Sequence, residues 1–383
     1  MKRTLFPLLL ILACAPSLSA QDAKSFGLAG CGTATVVDAF AVHWNPAALA
    51  VRGQHIRNAA PSAGFSASDS TNIGMPVLDY TGHKAALAGT DPVRRVTLYQ
   101  GLFAVQHRGY ALGVLQEDAC HLEANQSALD LIEARRTGTL SAGDSFMPDR
   151  SERRVKARHV LLGAGKSVPL GGSIPFFAVG GSIKYTLGTL NEETLTRGSF
   201  VAGTSDGLVS SHFRADRGKG ISYDAGIMAK LSSSFQAGCV WENVNSKVTW
   251  DGVIETLRHD PSTGSPEVAS VLEEEWTIAL PRAVRVGLVL MPEGKDIQLI
   301  AESRHTERKT RWRFALERSY PRQKASVRLG LLKDPATDKT DVTLGGGWFT
   351  RKLDVNAALL TRKFPAVLNS QSVGGALSAT YIF

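Results

Sequence analysis

The stretch Ile221-Ser-Tyr-Asp-Ala-Gly-Ile-Met-Ala-Lys-Leu231 decides the fold. Ile221, Tyr223, Ala225, Ile227, Ala229 and Leu231 take every odd position, while Ser222, Asp224 and Lys230 share the even ones with Gly226 and Met228. Successive side chains of a strand point to opposite faces, so this segment reads as a strand with one greasy face and one mostly polar face.

The same period of two recurs after about residue 93, in segments of roughly 9 to 12 residues separated by turn chemistry. They are Leu98 to Val105, Tyr110 to Gln116, Ala157 to Val168, Pro175 to Leu187, Phe235 to Val244, Val284 to Met291, Ile297 to Ser303 and Trp312 to Leu316. Four more close the chain: Ser326 to Leu332, Val342 to Thr350, Leu353 to Thr361 and Gly375 to Phe383. A weaker segment, Arg52 to Ala60 with Ile56, supplies a first strand and brings the count to about fourteen. The connections add an independent signal. Pro61 to Pro92, Asp118 to Arg154, Gly188 to Lys219 and Asn245 to Arg282 are long. Between them fall the tight connections Gln106 to Gly109, Pro169 to Ile174, Ser232 to Ser234 and Pro292 to Lys295. Strict alternation puts all long connections on one side, the asymmetry of bacterial outer-membrane barrels, and an even strand count returns the C-terminus to the side where the chain began.

Composition supports this choice by exclusion. Of 383 residues, 43% are hydrophobic and 20% charged, and the mean hydropathy is -0.05, which fits neither a disordered chain nor a multi-helix membrane protein. Beyond the N-terminus no apolar run approaches the roughly 18 residues of a spanning helix, since Val286 to Met291 stops at Pro292. Crossing a bilayer therefore requires strands, and a closed sheet pairs every backbone N–H and C=O without an exposed edge. The expected fold is all-β: a transmembrane antiparallel up-and-down β-barrel. Glycine, at 37 residues, points to many turns or close-packed strands. Leu377, Ala379, Tyr381 and Phe383 share one face of the last strand, placing aromatics at a membrane boundary and marking Leu377, Tyr381 and Phe383 as the expected outer-membrane assembly signal.

At the N-terminus, Lys2 and Arg3 precede the apolar run Leu5 to Ala13, then Pro16 and the small residues Ser17 to Ala20, the layout of a secretory signal cleaved after Ser19 or Ala20. A rival reading makes Ile11-Leu-Ala-Cys14 a lipoprotein signal, although Leu12 is bulky for that role. Losing Lys2 and Arg3 lowers the formal charge from +8 to +6. Positive charge on an exported chain suits phosphate-rich lipid headgroups or a solvated charge mixture and implies no nucleic acid. Arg154, Lys156 and Arg158, at i, i+2, i+4 on one strand face, either line a lumen or meet lipid phosphates; Arg304, Arg308, Lys309, Arg311 and Arg313 admit similar readings. The segment Glu273 to Glu275 reads as a solvated loop face. Cys31, Cys120 and Cys239 are widely separated and read as packing thiols.

Directly after the signal come Phe26-Gly-Leu-Ala-Gly-Cys-Gly-Thr-Ala-Thr and then Asp38, Phe40, Trp44, Asn45, Pro46 and Ala47. This N-terminal layout resembles that of the FadL-like outer-membrane proteins, as do the late hairpin from Val327 to Gly347 and the terminal Ala379-Thr-Tyr-Ile-Phe383. The resemblance implies a fourteen-stranded barrel whose N-terminal segment folds into the lumen as a hatch: residues 1–20 signal peptide, 21–50 hatch, 51–383 barrel. The hatch and gating residues are then Asn45, Pro46, Ala47, Gly27, Gly30 and Gly32. Asn45 before Pro46 is held out of the helical region and can bond nearby backbone, giving a rigid corner, and the glycines permit close approach to the wall. The implied activity is passive uptake of hydrophobic or amphipathic small molecules such as long-chain fatty acids. A non-transporting adaptor or structural role is the alternative. Expected partners are a fatty-acid-like ligand, outer-membrane lipid and the barrel assembly machinery.

Catalytic signatures fail. Leu162-Gly-Ala-Gly-Lys-Ser167 lacks the first glycine of a phosphate loop, because that position is Val160. The glycines Gly27, Gly30 and Gly32 run in the wrong order for a dinucleotide fingerprint, nine histidines show no ligand spacing, and no G-x-S-x-G elbow occurs. No enzyme, metal or cofactor is expected; an outer-membrane hydrolase would need a triad assembled from distant positions.

Overall fold

The computed structural model describes residues 22–51, 57–69, 93–147, 150–170, 174–196, 200–201, 209–259, 266–278, 280, 282–306, 310–334, 339–361 and 372–383. Its strands are β1 Arg57–Asp69, β2 Val93–His107, β3 Tyr110–Ala124, β4 Ser145–Phe146, β5 Arg150–Ser167, β6 Phe176–Thr196, β7 Phe200–Val201, β8 Val209–Lys230 and β9 Phe235–Glu242. The remainder are β10 Ser246–His259, β11 Pro266–Ile278, β12 Ala283–Leu290, β13 Ile297–Thr306, β14 Thr310–Tyr320, β15 Ala325–Asp334, β16 Lys339–Phe349, β17 Leu353–Thr361 and β18 Ser372–Ile382. Among the described residues three helices, α1 Ala23–Gly27, α2 Ala41–Trp44 and α3 Gln126–Thr137, and two 3₁₀ turns, Pro46–Ala50 and Pro321–Gln323, complete the regular structure.

All strands but β4 and β7 belong to one antiparallel sheet. It closes because β8 changes partner along its length: Ala225 to Lys230 pair with β9, and Val209 to Ser222 pair with β10. β9 and β10, broken at Asn243 to Asn245, occupy one wall position, as do β11 and β12, so the closed ring has fourteen strands, the expected number. At one end the turns are tight. Arg108 and Gly109 both have left-handed φ, 51° and 81°, as a two-residue hairpin turn requires. Longer excursions gather at the other end, including α3, which Asn125 caps by accepting from Ala128 N at 2.8 Å, and the ribbon β4–β7.

Polarity is inverted relative to a soluble protein. Along β12, Val284, Val286, Leu288 and Leu290 are exposed, whereas Ala283, Arg285, Gly287 and Val289 are buried. The quoted strand behaves alike: Ile221, Tyr223, Ile227 and Leu231 lie outside, and Ser222 and Asp224 inside. Exposed apolar area on this scale needs lipid, not water, around it. Aromatics border the band, with Tyr110, Trp348 and Phe383 near the tight turns and Tyr185, Tyr223, Trp241 and Trp312 toward the far end.

Two expectations need correction. The first strand is β1, so only Arg57 to Ala60 of the expected Arg52 to Ala60 lie in it, and residues 52–56 fall outside the described residues. Pro61 sits inside this strand opposite Phe103; Ala59↔Tyr381 and Ser62↔Ser378 pair with β18, and the pairing skips Ala60 and Pro61, where proline has no N–H to give. Two of the four long connections are largely strand as well: β6 continues to Thr196 and β8 starts at Val209, and β10–β11 fills most of Asn245 to Arg282, including Glu273 to Glu275. Above the lipid neither face of a strand must be apolar, so the period-two signal disappears while the ladder continues. The wall is therefore uneven in height. β5, β6 and β8 have 18, 21 and 22 residues, against 10, 11, 10, 11 and 9 for β13 to β17.

Candidate functional site

Residues 22–51 are almost wholly buried. Asp22 caps α1, accepting from Ser25 N at 3.0 Å. Wall side chains then hold the segment's backbone at intervals around the ring. Ala23 N donates to Ser378 Oγ (3.2 Å, β18), Ala29 N to Thr343 Oγ1 (3.0 Å, β16) and Thr33 N to Glu302 Oε2 (2.9 Å, β13). Ala39 N donates to Asn58 Oδ1 (2.9 Å, β1), and Gln106 Nε2 of β2 donates to Leu49 O (2.9 Å). A segment bonded to strands all around a closed ring lies inside it.

Asn45, Pro46 and Ala47 form the corner of this insert. Asn45 has extended backbone, φ -159° and ψ 102°, as the residue before proline favours, and Pro46 opens the 3₁₀ turn. The Asn45 amide is fully buried and fully used: Nδ2 donates to Thr33 O (2.9 Å) and to Ile227 O of β8 (3.1 Å), and Oδ1 accepts from Ala47 N (3.1 Å). The wall makes room with glycine. A β-carbon added at Gly226 would lie 2.2 Å from Asn45 Oδ1, one at Gly180 2.4 Å from Ala47 N, and one at Gly165 2.4 Å from Pro46 O. Gly165 pairs with Gly180, and Gly180 with Gly226, so the three are neighbours in one row across β5, β6 and β8. Sequence reasoning missed this row, whose only trace is glycine recurring at inward positions.

Of the expected segment glycines, Gly27 does approach the wall, its added β-carbon 3.0 Å from Gly345 Cα. Gly32 instead makes room for Trp44 of the segment itself, at 2.2 Å, and Gly30 adopts a left-handed φ of 84°. Leu377 and Tyr381 lie on the side of β18 opposite the buried Ala376, Ser378 and Thr380, and Phe383, exposed just past the strand's end, has its ring 5.9 Å from that of Tyr381. Cys31 and Cys239 are free thiols; the Cys120 side chain lies outside the described residues.

The inner wall is charged. Arg313 Nη1 donates to Glu302 Oε1 at 2.8 Å; Arg328 donates to Glu317 Oε1 (2.9 Å), Asn356 Oδ1 (2.7 Å) and Ser326 Oγ (2.8 Å); Glu242 accepts from Arg285 and Arg304. Arg304 and Arg313 thus take the lumen-lining reading. The Arg285 guanidinium stacks 4.7 Å above the Trp44 ring, tying segment to wall. Several buried polar atoms here have no partner among the described residues: Arg285 Nε and Nη1, Trp44 Nε1, His43 Nδ1 and Ser222 Oγ. Such atoms ordinarily find water or a ligand, so this is where the lumen can receive a polar group. Among the described residues no group of three His, Cys, Asp or Glu side chains is placed to hold a metal ion.

Burial, then the nearby Arg285 and Lys184, push the His43 imidazole down to about 4 from its usual 6.5. The seated segment therefore favours neutral His43, and its stability, full above about pH 6.5, is lost progressively as pH falls toward 4. Burial pushes the Asp22 carboxyl up, against its Ser25 hydrogen bonds, so Asp22 works in the opposite direction. Lowering pH from 7.5 to 5 is expected to raise the reactivity of Cys31 toward a dithiodipyridine reagent by up to roughly thirtyfold, in a protein lacking its other cysteines. His43→Gln should remove the rise, and an identical pH slope in that variant would refute the assignment.

No protein-family model matches the sequence, and no curated protein matches it either. Solved structures do match in fold. The CymD monoaromatic hydrocarbon channel aligns with a TM-score of 0.59 and 14% identity over 94% of this chain and 97% of that one. The Ralstonia pickettii toluene transporter TbuX gives 0.54 and 13% over 95% and 98%, and a Pseudomonas aeruginosa FadL homologue 0.54 and 15% over 96% and 98%. The chain has the barrel fold of these FadL-type channels, in agreement with the resemblance read from its sequence.

Proposed function

We propose that this protein is an outer-membrane channel for passive uptake of amphipathic or hydrophobic small molecules, exported by a cleaved signal, with residues 21–50 as its hatch. The observation that carries the reading is the Asn45-Pro46-Ala47 corner, a compact insert held in the ring by hydrogen bonds rather than by continuity with the wall. No nucleotide or covalent step is needed, so flow follows the gradient. The charged lumen and its unpartnered donors around Trp44 and Arg285 favour a solute with a polar head, such as a fatty acid, over a pure hydrocarbon. The outward Leu377, Tyr381 and Phe383 serve assembly into the membrane. Asn45→Ala leaves Thr33 O, Ile227 O and Ala47 N without their partner, which at about 1 kcal/mol or more each loosens the corner by roughly a hundredfold. Cells carrying it should change their uptake of a fluorescent fatty acid at unchanged barrel yield; unaltered uptake would remove the gate. A second reading, a permanently sealed adaptor, draws on the same ring of backbone anchors, and co-purification of a stoichiometric partner protein without bound lipid would favour it.

A further inference from the structure

The outer wall carries a notch of about 420 Å³ at the point where β8 exchanges β9 for β10. It exists because the chain breaks there. Asn243 turns through a left-handed φ of 50°, its N–H held by Asp224 Oδ1 at 2.8 Å, before β10 resumes the ladder. Tyr185, Ile221, Tyr223, Lys219, Lys247 and Thr249 line the notch.

Its height in the membrane follows from strand geometry. Tyr185 lies nine residues up β6 from Phe176, which at about 3.3 Å per residue and about 40° of tilt is roughly 23 Å, close to the top of an apolar band about 25 Å tall. Below it the outward residues are Val179, Ile183 and Ile227. At and above it four exposed basic residues, Lys219, Lys247, Arg217 and Arg158, share the outward face with Ile221, Leu187 and one carboxylate, Asp251, which is the ladder partner of Arg217. Lys219 and Lys247 are diagonal neighbours, because Lys219 pairs with Thr249 and Lys247 with Ile221, so their ammonium groups can converge on one anion. Neither makes an ion pair among the described residues, whereas Lys156 nearby lies 3.9 Å from Asp118.

We propose that this notch is a site for the phosphate headgroup of a membrane lipid. Lys219 and Lys247 meet the phosphate, the Tyr185 and Tyr223 hydroxyls donate to its oxygens, and the acyl chains run down past Ile221 and Ile227. Charge complementarity and depth select this occupant: two unpaired cations with aromatic rings at the upper edge of a lipid-facing wall match a phosphate attached to hydrocarbon. The proposal rests on the membrane-spanning placement of the wall and not on transport, so an unchanged uptake by the Asn45 variant leaves it standing.

The test is native mass spectrometry of the detergent-purified barrel with equimolar dioleoyl phosphatidic acid and dioleoyl phosphatidylcholine. The wild-type protein should retain phosphatidic acid preferentially. Lys219→Gln with Lys247→Gln should weaken that preference by roughly thirtyfold, while Lys352→Gln, in a tight turn at the other end, should not. Both substituted lysines are exposed, and an unchanged β-sheet circular dichroism spectrum verifies the fold. Equal retention of the two lipids, an unchanged preference in the double variant, or displacement of the lipid by millimolar inorganic phosphate would each overturn the proposal.

Discussion

Gly226→Val will unseat the N-terminal segment while leaving the wall closed. The added β-carbon would stand 2.2 Å from Asn45 Oδ1, and 3.2 Å from Pro46 Cδ. Neither neighbour is the free end of a flexible chain, since Asn45 is fixed at both ends of its amide and Pro46 by its ring. The wall cannot yield either, because Gly226 is laddered to Gly180 on one side and Val240 on the other. Overpacking of a tight site costs about 1–3 kcal/mol by itself, and expelling the corner also forfeits the three Asn45 hydrogen bonds. Cys31, fully buried in the seated segment, reports the outcome. In a background with Cys120 and Cys239 replaced by serine, its maleimide labelling should accelerate a hundredfold or more. Gly181→Val is the matched control: it lies one residue from Gly180, faces outward, and its added β-carbon meets nothing closer than 3.5 Å. Equal labelling of the two variants would show that the glycine row does not seat the segment.

Glu302→Ala should destabilise the protein by about 3–5 kcal/mol. The carboxylate is 2% exposed and has two dependents: Arg313 Nη1 at 2.8 Å and Thr33 N at 2.9 Å. Removing it leaves a guanidinium buried without its counter-charge, and Arg313 Nε already lacks a partner. Replacing both members, Glu302→Leu with Arg313→Leu, takes away the stranded charge and should recover most of the loss, leaving chiefly the unpaired Thr33 amide. Urea unfolding in detergent measures both. A cost under about 1 kcal/mol for the single variant would mean that water reaches the pair and screens it.

Where the sequence was legible, lipid was the reason. A strand facing hydrocarbon on one side and a polar lumen on the other must alternate, so Ile221 to Leu231 and Val284 to Met291 announced themselves, and with them the strand count and the two-sided sorting of connections. Above the lipid that constraint ends. Asn191-Glu-Glu-Thr-Leu-Thr196 continues β6 with no apolar face to betray it, and the acidic run Glu273 to Glu275 belongs to β11 although it reads as loop. The Asn45-Pro46 corner was readable because its geometry is local to three residues. The glycine row was not, since Gly165, Gly180 and Gly226 are brought together only by the register between strands, which alternation leaves unspecified by steps of two. Gly32 was assigned to the wall for want of the same information, when its neighbour is Trp44.

The uneven strands give the rim of the barrel a direction. Strands β5, β6 and β8 run about ten residues longer than β13 to β17, which at about 3.3 Å per residue is a palisade roughly 30 Å long facing shorter strands. A bulky particle arriving from outside, whether micelle, antibody or neighbouring cell surface, would strike the palisade first and be held off the bore. Under the proposed uptake role a single small molecule would enter across the shorter strands, so the rim would sort visitors by size before any side chain inside touched them.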